Sequence, residues 1–219
     1  MSDQSMRGFL SALEGSEHLQ RVKRAIDPRF EIASVLLLRK QGPAQMFERV
    51  GNQTIPVVGN LLDSRDRMAR ALGVARNELH DFCLAALRNR IPPVMVGEAP
   101  VQAIEHRTDM GLARLLPVPT WFEREAGPYI SAGVIVAKDP DTGRRNVSIA
   151  RLRLEGGSRV MAGIARNHHL YRLAEKAQAL GRPLEIAVAI GNHAAVLLAS
   201  QMYVDLGDDE FAKIGRAHV

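Results

Sequence analysis

Apolar positions in the first hundred residues recur mainly at helical spacing, and turn-forming residues separate one segment from the next. A β-branched apolar run at residues 55–61 predicts a strand that leads into a helix capped by Ser64 and ended by Gly73. The pattern as a whole predicts helices over residues 6–14, 28–39, 64–73 and 78–88. We therefore expect an N-terminal α/β domain over residues 1–97.

Beyond Pro100 the pattern changes to proline-rich loops and alternating apolar residues. Apolar or alternating runs at 133–138 and 147–154 flank the turn-forming segment 139–143 (Asp-Pro-Asp-Thr-Gly), which predicts a β-hairpin. The remaining pattern predicts a strand at 160–162, a helix at 169–180, a fully buried strand at 184–190 and a helix at 194–202. The expected class is α+β, with a small barrel or sheet over residues 98–213.

Composition narrows the possible partners. The chain of 219 residues is 46% hydrophobic, enough for a sizeable core, and carries a formal net charge of +5 spread along its length. With only 5% aromatic residues, the surplus fits a phosphate-bearing cofactor better than nucleic acid. Cys83 is the only cysteine and is expected to be a buried structural thiol. We expect a cytoplasmic protein without a membrane span.

Residues 144–151 contain the most suggestive polar pattern. On a strand, Asn146, Ser148 and Ala150 share one face, while Arg151 shares the opposite face with apolar neighbours. A buried arginine requires an anion or a carboxylate partner. The alternative is that Arg151 lies at a strand end and reaches solvent or a structural aspartate.

Two further groups could bind ligands. His168 and His169 at a helix start could bind a metal or a phosphate, or could be only polar caps. An acidic cluster near the chain end could meet a hard cation, or could be a solvated turn or helix cap; it comprises Asp205, Asp208, Asp209 and Glu210. Common hydrolase, zinc and nucleotide-phosphate motifs are not found in the sequence.

Three consecutive passages resemble the UbiD family of prenylated-FMN-dependent decarboxylases: residues 127–133 (Gly-Pro-Tyr-Ile-Ser-Ala-Gly), 139–146 (Asp-Pro-Asp-Thr-Gly-Arg-Arg-Asn) and 146–151 (Asn-Val-Ser-Ile-Ala-Arg). The first half agrees through residues 30–33, 56–60, 67–73 and 115–119. The resemblance extends from Arg7 to about Ala212. Trp121 and Phe122 depart from it, since relatives more often have histidine there.

The resemblance implies an N-terminal α/β domain followed by a split β-barrel of flavin-reductase type. It also implies a non-oxidative decarboxylation of aromatic or α,β-unsaturated carboxylic acids, with 4-hydroxybenzoate-type substrates favoured. In the family, the substrate adds to the cofactor, CO2 leaves and a glutamate protonates the product. The family's catalytic glutamates follow the Glu210 region, so this chain is expected to be an N-terminal fragment truncated before the C-terminal domain and inactive by itself.

The resemblance also assigns roles to residues. Asn146, His169 and Glu210 match ligands of a divalent metal, Mn²⁺ or similar, that holds the cofactor phosphate. Arg151 would pair with the substrate carboxylate and a catalytic glutamate. Ala199, Ser200 and Met202 match positions that supply oxygens to K⁺ or Na⁺. The implied cofactor contacts are Asn146, Val147, Ser148, Ile149, Ala150, Arg151, His168, His169 and Glu210.

The family further implies a flavin prenyltransferase as cofactor supplier and a homo-oligomer for the full-length protein. A competing hypothesis is a split-barrel module that binds or reduces flavin without decarboxylase activity. Residues 214–219 resemble a translated sequencing adapter and are expected to be a non-native tail without packed structure.

Overall fold

The computed structural model describes residues 5–107, 110–202 and 204–214 of the chain. The first half contains four helices and three strands, in the order α1 (Met6–Leu13), β1 (Leu19–Ile26), α2 (Glu31–Leu38), β2 (Ala44–Val50), β3 (Val57–Gly59), α3 (Arg65–Leu72) and α4 (Leu79–Arg88). The second half adds α5 (Leu112–Leu115), β4 (Tyr129–Lys138), β5 (Arg145–Leu154), β6 (Val160–Ala162), α6 (His169–Ala179), β7 (Ile186–Ala189), α7 (Ala194–Ala199) and α8 (Glu210–Ile214).

A three-stranded sheet of order β1-β2-β3 organises the first half. β1 runs parallel to β2, with α2 in the connection between them, and β3 returns antiparallel to β2. Phe47 of β2 is fully buried against Ile26, Ile32 and Leu36. The pattern analysis predicted β3 but not β1 or β2.

Three of the predicted helices agree closely with the structure. α1 and α4 lie where their patterns placed them, and α3 follows Ser64 and ends at Gly73, which has a φ of 69°. α2 begins three residues later than predicted. Phe30 is in the left-handed region at φ 68° and donates its N–H to the Thr120 carbonyl, so the chain turns into the helix only after it.

The second sheet has the order β6-β5-β4-β7, and its neighbouring strands are antiparallel. β4 and β5 form the predicted hairpin around residues 139–144. On one face of the sheet, Leu170 and Leu173 of α6 pack against Ile135 and Leu152. The other face packs against residues of α3, α4, α7 and α8.

One core cluster joins residues from both halves of the chain. Ala69, Leu72 and Leu79 from the first half lie in the same cluster as Val147 and Phe211 from the second. Cys83 packs against this cluster but is only half-buried, and burial raises the pKa of its thiol. The division into domains 1–97 and 98–213 stays a prediction.

The strand predicted at 184–190 is present as β7, but the expectation that it is fully buried was wrong. Ile186 is 49% exposed and Val188 36% exposed. The reason is the strand order: β7 lies at the edge of the sheet, with β4 as its only partner strand among the described residues. The following helix is also shorter than predicted and ends at Ala199.

No helix in the described ranges of the chain is long and apolar enough to cross a membrane. Apart from the backbone of Ile214, which ends α8, the tail predicted at 214–219 lies outside the described residues.

Candidate cofactor and metal site

A cavity of about 180 Å³ lies where β5, the start of α6, the end of α7 and the start of α8 meet. Residues 146–149 of β5 form one wall, and residues 167–169 form another. Residues 200–202 and Val204 follow α7, and Glu210 closes the site from the first position of α8. Asn146, His169 and Glu210 therefore line one cavity although they are far apart in the sequence.

The backbone of β5 is open on the cavity side. Within the described residues, β6 pairs with β5 only at residues 152–154, so the edge of β5 ahead of them has no partner strand there. The Val147 N–H instead donates to Oε2 of Glu210 at 2.8 Å. A carboxylate thus takes the place of a neighbouring strand.

Glu210 is only 2% exposed. Its Oε1 accepts a hydrogen bond from Nδ2 of Asn146 at 2.7 Å. Burial raises the pKa of Glu210 to about 7, and the adjacent charge of Asp209 adds to this, although hydrogen bonds from backbone N–H groups and from Asn146 act in the opposite direction. The carboxyl is therefore close to half-ionised near neutral pH.

Two buried polar atoms in the cavity have no hydrogen-bond partner among the described residues: Oδ1 of Asn146 and Oγ of Ser148. Both residues lie on the same face of β5, as the strand alternation predicted. Buried polar atoms are nearly always paired, so two unpaired atoms in one cavity indicate a missing partner. Asn146 offers an acceptor oxygen, and Ser148 offers a hydroxyl that can donate to an anion.

His169 is the first residue of α6, and His168 is its N-cap. Burial lowers the pKa of His169, and the positive charges of Arg172 and His168 lower it further, against the opposing effect of Asp205. The imidazole is therefore neutral at neutral pH, the form that binds a metal. His168 occupies the N-cap position, as the alternative of a polar cap requires, but its side chain makes no capping hydrogen bond.

Three predicted residues do not line the cavity: Ala150, Arg151 and Ala199. Arg151 is exposed, and its guanidinium carbon lies 5.5 Å from the centroid of the Tyr129 ring. The structure thus favours the alternative in which Arg151 reaches solvent over a buried arginine. Ala199 is fully buried in the core, and its carbonyl accepts from the Met202 N–H at 3.1 Å.

Ser200 and Met202 do line the cavity, and the Ser200 hydroxyl donates to the Leu197 carbonyl at 2.8 Å. Sequence reasoning missed Asn167, Gln201 and Val204, which also line it. Two of them could have been found from their neighbours: Asn167 precedes the histidine pair, and Gln201 lies between the predicted residues Ser200 and Met202.

The donor set fits a divalent cation with mixed ligands. Among the described residues, no group of three or more His, Cys, Asp and Glu side chains could hold a metal ion. The set at this cavity instead combines an amide oxygen, a neutral imidazole and a carboxylate, which suit Mn²⁺. The unpaired Oδ1 of Asn146 is the atom that such an ion would satisfy.

The family follows from this fold and from sequence comparison. The model of the 3-octaprenyl-4-hydroxybenzoate carboxy-lyase Rift-related domain matches residues 94–217, and the model of the corresponding N-terminal domain matches residues 10–87. The chain belongs to the UbiD family.

Particular relatives agree. The UbiD-class enzyme HmfF from Pelotomaculum thermopropionicum, in complex with FMN, is 42% identical with a TM-score of 0.92, over 96% of this chain and 47% of that chain. An evolved dimeric form of HmfF in complex with prFMN is 41% identical with a TM-score of 0.93, over 97% of this chain and 50% of that chain. Anhydromevalonate phosphate decarboxylase of Methanothermobacter thermautotrophicus is 34% identical over 97% of this chain and 48% of its own length. The chain spans about half the length of these relatives.

Proposed function

We propose that this chain supplies the cofactor- and metal-binding half of a UbiD-family carboxy-lyase. The cofactor is prenylated FMN, and the substrates are aromatic or α,β-unsaturated carboxylic acids, with 4-hydroxybenzoate-type acids favoured. The observation that carries the proposal is the convergence of Asn146, His169 and Glu210 on one cavity in which the Asn146 Oδ1 is buried and unpaired.

A divalent ion such as Mn²⁺ would be held by the Asn146 amide oxygen, the His169 imidazole and the Glu210 carboxylate. It would offset the negative charge of a bound phosphate next to a carboxylate. The lowered pKa of His169 supports this assignment, because a metal ligand must be deprotonated. The Glu210 carboxyl, whose pKa is raised by burial, would release its proton when the ion binds.

The cofactor would lie along the exposed edge of β5, in contact with residues 146–151 and with His168 and His169. The Ser148 hydroxyl has an unused donor for a phosphate oxygen, and the start of α6 at His168 and His169 lines the same cavity, where a helix N-terminus would favour an anion. Ser200 and Met202 line the cavity and would contribute to a K⁺ or Na⁺ site together with the Ala199 carbonyl.

Arg151 would bind the substrate carboxylate. It follows the cavity-lining residues on β5, and its exposed guanidinium stacks over Tyr129, which keeps the charge available to an anion. Bound prenylated FMN would supply the electron sink for loss of CO2. The chain's own residues would anchor this cofactor and orient the acid beside it.

The whole protein would act as a homo-oligomer in the cytoplasm and receive its cofactor from a flavin prenyltransferase. The family's catalytic glutamates are expected in the half of the relatives that this chain does not span, so the 219-residue polypeptide is proposed to bind cofactor without turning over substrate.

Ion-dependent flavin binding tests the proposal. FMN would be titrated with and without Mn²⁺ against the wild-type chain and the variants N146A, H169A and E210Q, with flavin fluorescence as the measurement. Mn²⁺ should strengthen FMN binding in the wild type, and each variant should lose that effect. N52A, which changes an exposed asparagine outside the cavity, serves as the control and should behave as wild type.

FMN binding that does not depend on Mn²⁺ or on these three side chains would contradict the metal anchor. It would then favour the competing flavin-binding module.

A further inference from the structure

The turn between β4 and β5 contacts both elements that bring His169 and Glu210 to Asn146. The turn comprises residues 139–144 and leads directly into Arg145, the first residue of β5 and the residue before Asn146. One side of it is bonded to α6 and the other to the segment that leads into α8. The turn therefore links the three candidate metal ligands from outside the cavity.

The first contact is an ion-pair cluster. Nζ of Lys176 lies 2.7 Å from Oδ2 of Asp139 and 3.1 Å from Oδ2 of Asp141. Lys176 follows His169 by seven residues on α6, about two turns later and on the same face of the helix. Because both residues belong to α6, the ion pairs that hold Lys176 at the turn also restrain the position of His169.

Asp139 is a suitable anchor because it is only 6% exposed. Burial acts to raise the pKa of this carboxyl, but the hydrogen bonds from Lys176 and from the backbone N–H groups of Asp141 and Thr142 outweigh it, so the pKa is lowered. The carboxylate is charged and fixed by the turn. Arg182, just after α6, adds a hydrogen bond of 3.1 Å to the Pro140 carbonyl.

The second contact holds the residues around Glu210. Nε of Arg145 lies 3.7 Å from Oδ2 of Asp209, and its guanidinium carbon lies 5.3 Å from the centroid of the Phe211 ring. Asp209 and Phe211 are the two neighbours of Glu210, just as Arg145 is a neighbour of Asn146. These contacts run beside the hydrogen bond between Asn146 and Glu210.

Stability alone is a weak explanation for this arrangement, because partly exposed ion pairs contribute little to the free energy of folding. A metal site, in contrast, requires its ligands to be held within about half an ångström of a productive geometry. Loops join the three ligand-bearing elements here, so contacts that tie them to one turn serve alignment more than stability.

We propose that Lys176 and Arg145 are positioning residues that align His169 and Glu210 with Asn146 through the turn. This inference rests on the proposed function of the cavity as a metal and flavin-phosphate anchor. Neither residue would touch the ion or the cofactor.

The test compares K176M with R21M. Arg21 resembles Lys176 in exposure and in having two carboxylate partners, Glu14 and Glu48, but it lies on β1 outside the cavity. Mn²⁺ affinity would be measured in the presence of FMN, together with the Mn²⁺ electron paramagnetic resonance spectrum at saturation and the melting temperature. We expect K176M to weaken Mn²⁺ binding on the order of tenfold and to alter the spectrum. R21M should leave both unchanged, whatever it does to the melting temperature.

Two further variants sharpen the result. K176R keeps the charge and should restore most of the affinity. R145K keeps the charge but loses the guanidinium plane over Phe211, and it should weaken Mn²⁺ binding severalfold; it tests the second contact even if K176M does not fold.

Equal Mn²⁺ affinities and spectra for wild type, K176M and R145K would overturn the positioning role while leaving the anchor intact. A wild-type chain that binds no Mn²⁺ with FMN would overturn the proposed function, and the positioning role with it.

Discussion

Glu210 joins α8 to β5 through hydrogen bonds, and its burial makes its charge depend on pH near neutrality. Its carboxyl is almost fully buried and accepts hydrogen bonds from the Asn146 side chain and the Val147 backbone. Those bonds favour the charged form, yet burial outweighs them and raises the pKa to about 7. Since the unfolded carboxyl ionises at lower pH, this residue costs stability as pH rises from its ordinary pKa towards 7.

The same pKa predicts a pH dependence of metal binding. Under the proposed ligation, Mn²⁺ would displace a proton from Glu210 below about pH 7, so Mn²⁺ affinity in the presence of FMN should rise about tenfold per pH unit and level off above that pH. His169 has a lowered pKa and adds little to this slope near neutrality. Titrations between about pH 6 and 8 by isothermal calorimetry measure the effect. A flat profile would show that Glu210 is not a ligand, and E210Q should lack the slope.

At the scale of elements, α6 begins at His169 and is held by its packing against the sheet. Leu173 is 1% exposed and lies in the core cluster with Ile135 and Leu152. We predict that L173A lowers the free energy of unfolding by about 3 kcal/mol, because it removes a buried side chain and leaves a cavity. Urea denaturation measures this value. L180A, at a position 54% exposed just after α6, should change it by less than about 0.5 kcal/mol; equal losses would contradict the packing described.

Local sequence signals foretold the elements that carry their own turn or cap chemistry. The β4–β5 hairpin was predictable from the turn residues at 139–143, and α3 from Ser64 and Gly73. β1 escaped prediction because it is an edge strand rich in charged residues, with only Ile26 fully buried. The prediction that β7 is fully buried was wrong because an apolar run does not show whether a strand lies in the centre or at the edge of its sheet.

The candidate site was predictable only in part from local pattern. Strand alternation placed Asn146 and Ser148 on one face, as the structure shows. The spacing of His169 and Glu210 in the sequence does not predict that they lie near Asn146, because loops connect their helices to β5. Only the family resemblance indicated these two residues. The hydrogen bond from the Val147 backbone N–H to the Glu210 carboxylate could not be predicted, because a backbone donor leaves no mark in the sequence.

At the scale of the whole molecule, the chain contains the proposed cofactor anchor and spans about half the length of its relatives. We predict that the 219-residue polypeptide, given prenylated FMN, Mn²⁺ and 4-hydroxybenzoate, releases CO2 at least a hundredfold more slowly than a full-length family member, about the loss expected without a general acid. Phenol formation followed by chromatography is the measurement. Turnover at a comparable rate would show that the proton donor lies within this chain.

The open margin of β7 also affects how this polypeptide behaves in solution. Among the described residues its outer edge has no partner strand, so the backbone N–H and C=O groups there, with Ile186 and Val188 beside them, form a template for an added extended strand. A strand from another polypeptide could serve as well as one from the same protein. Concentrated samples are therefore expected to aggregate slowly, and a lysine introduced on this strand should reduce the aggregation.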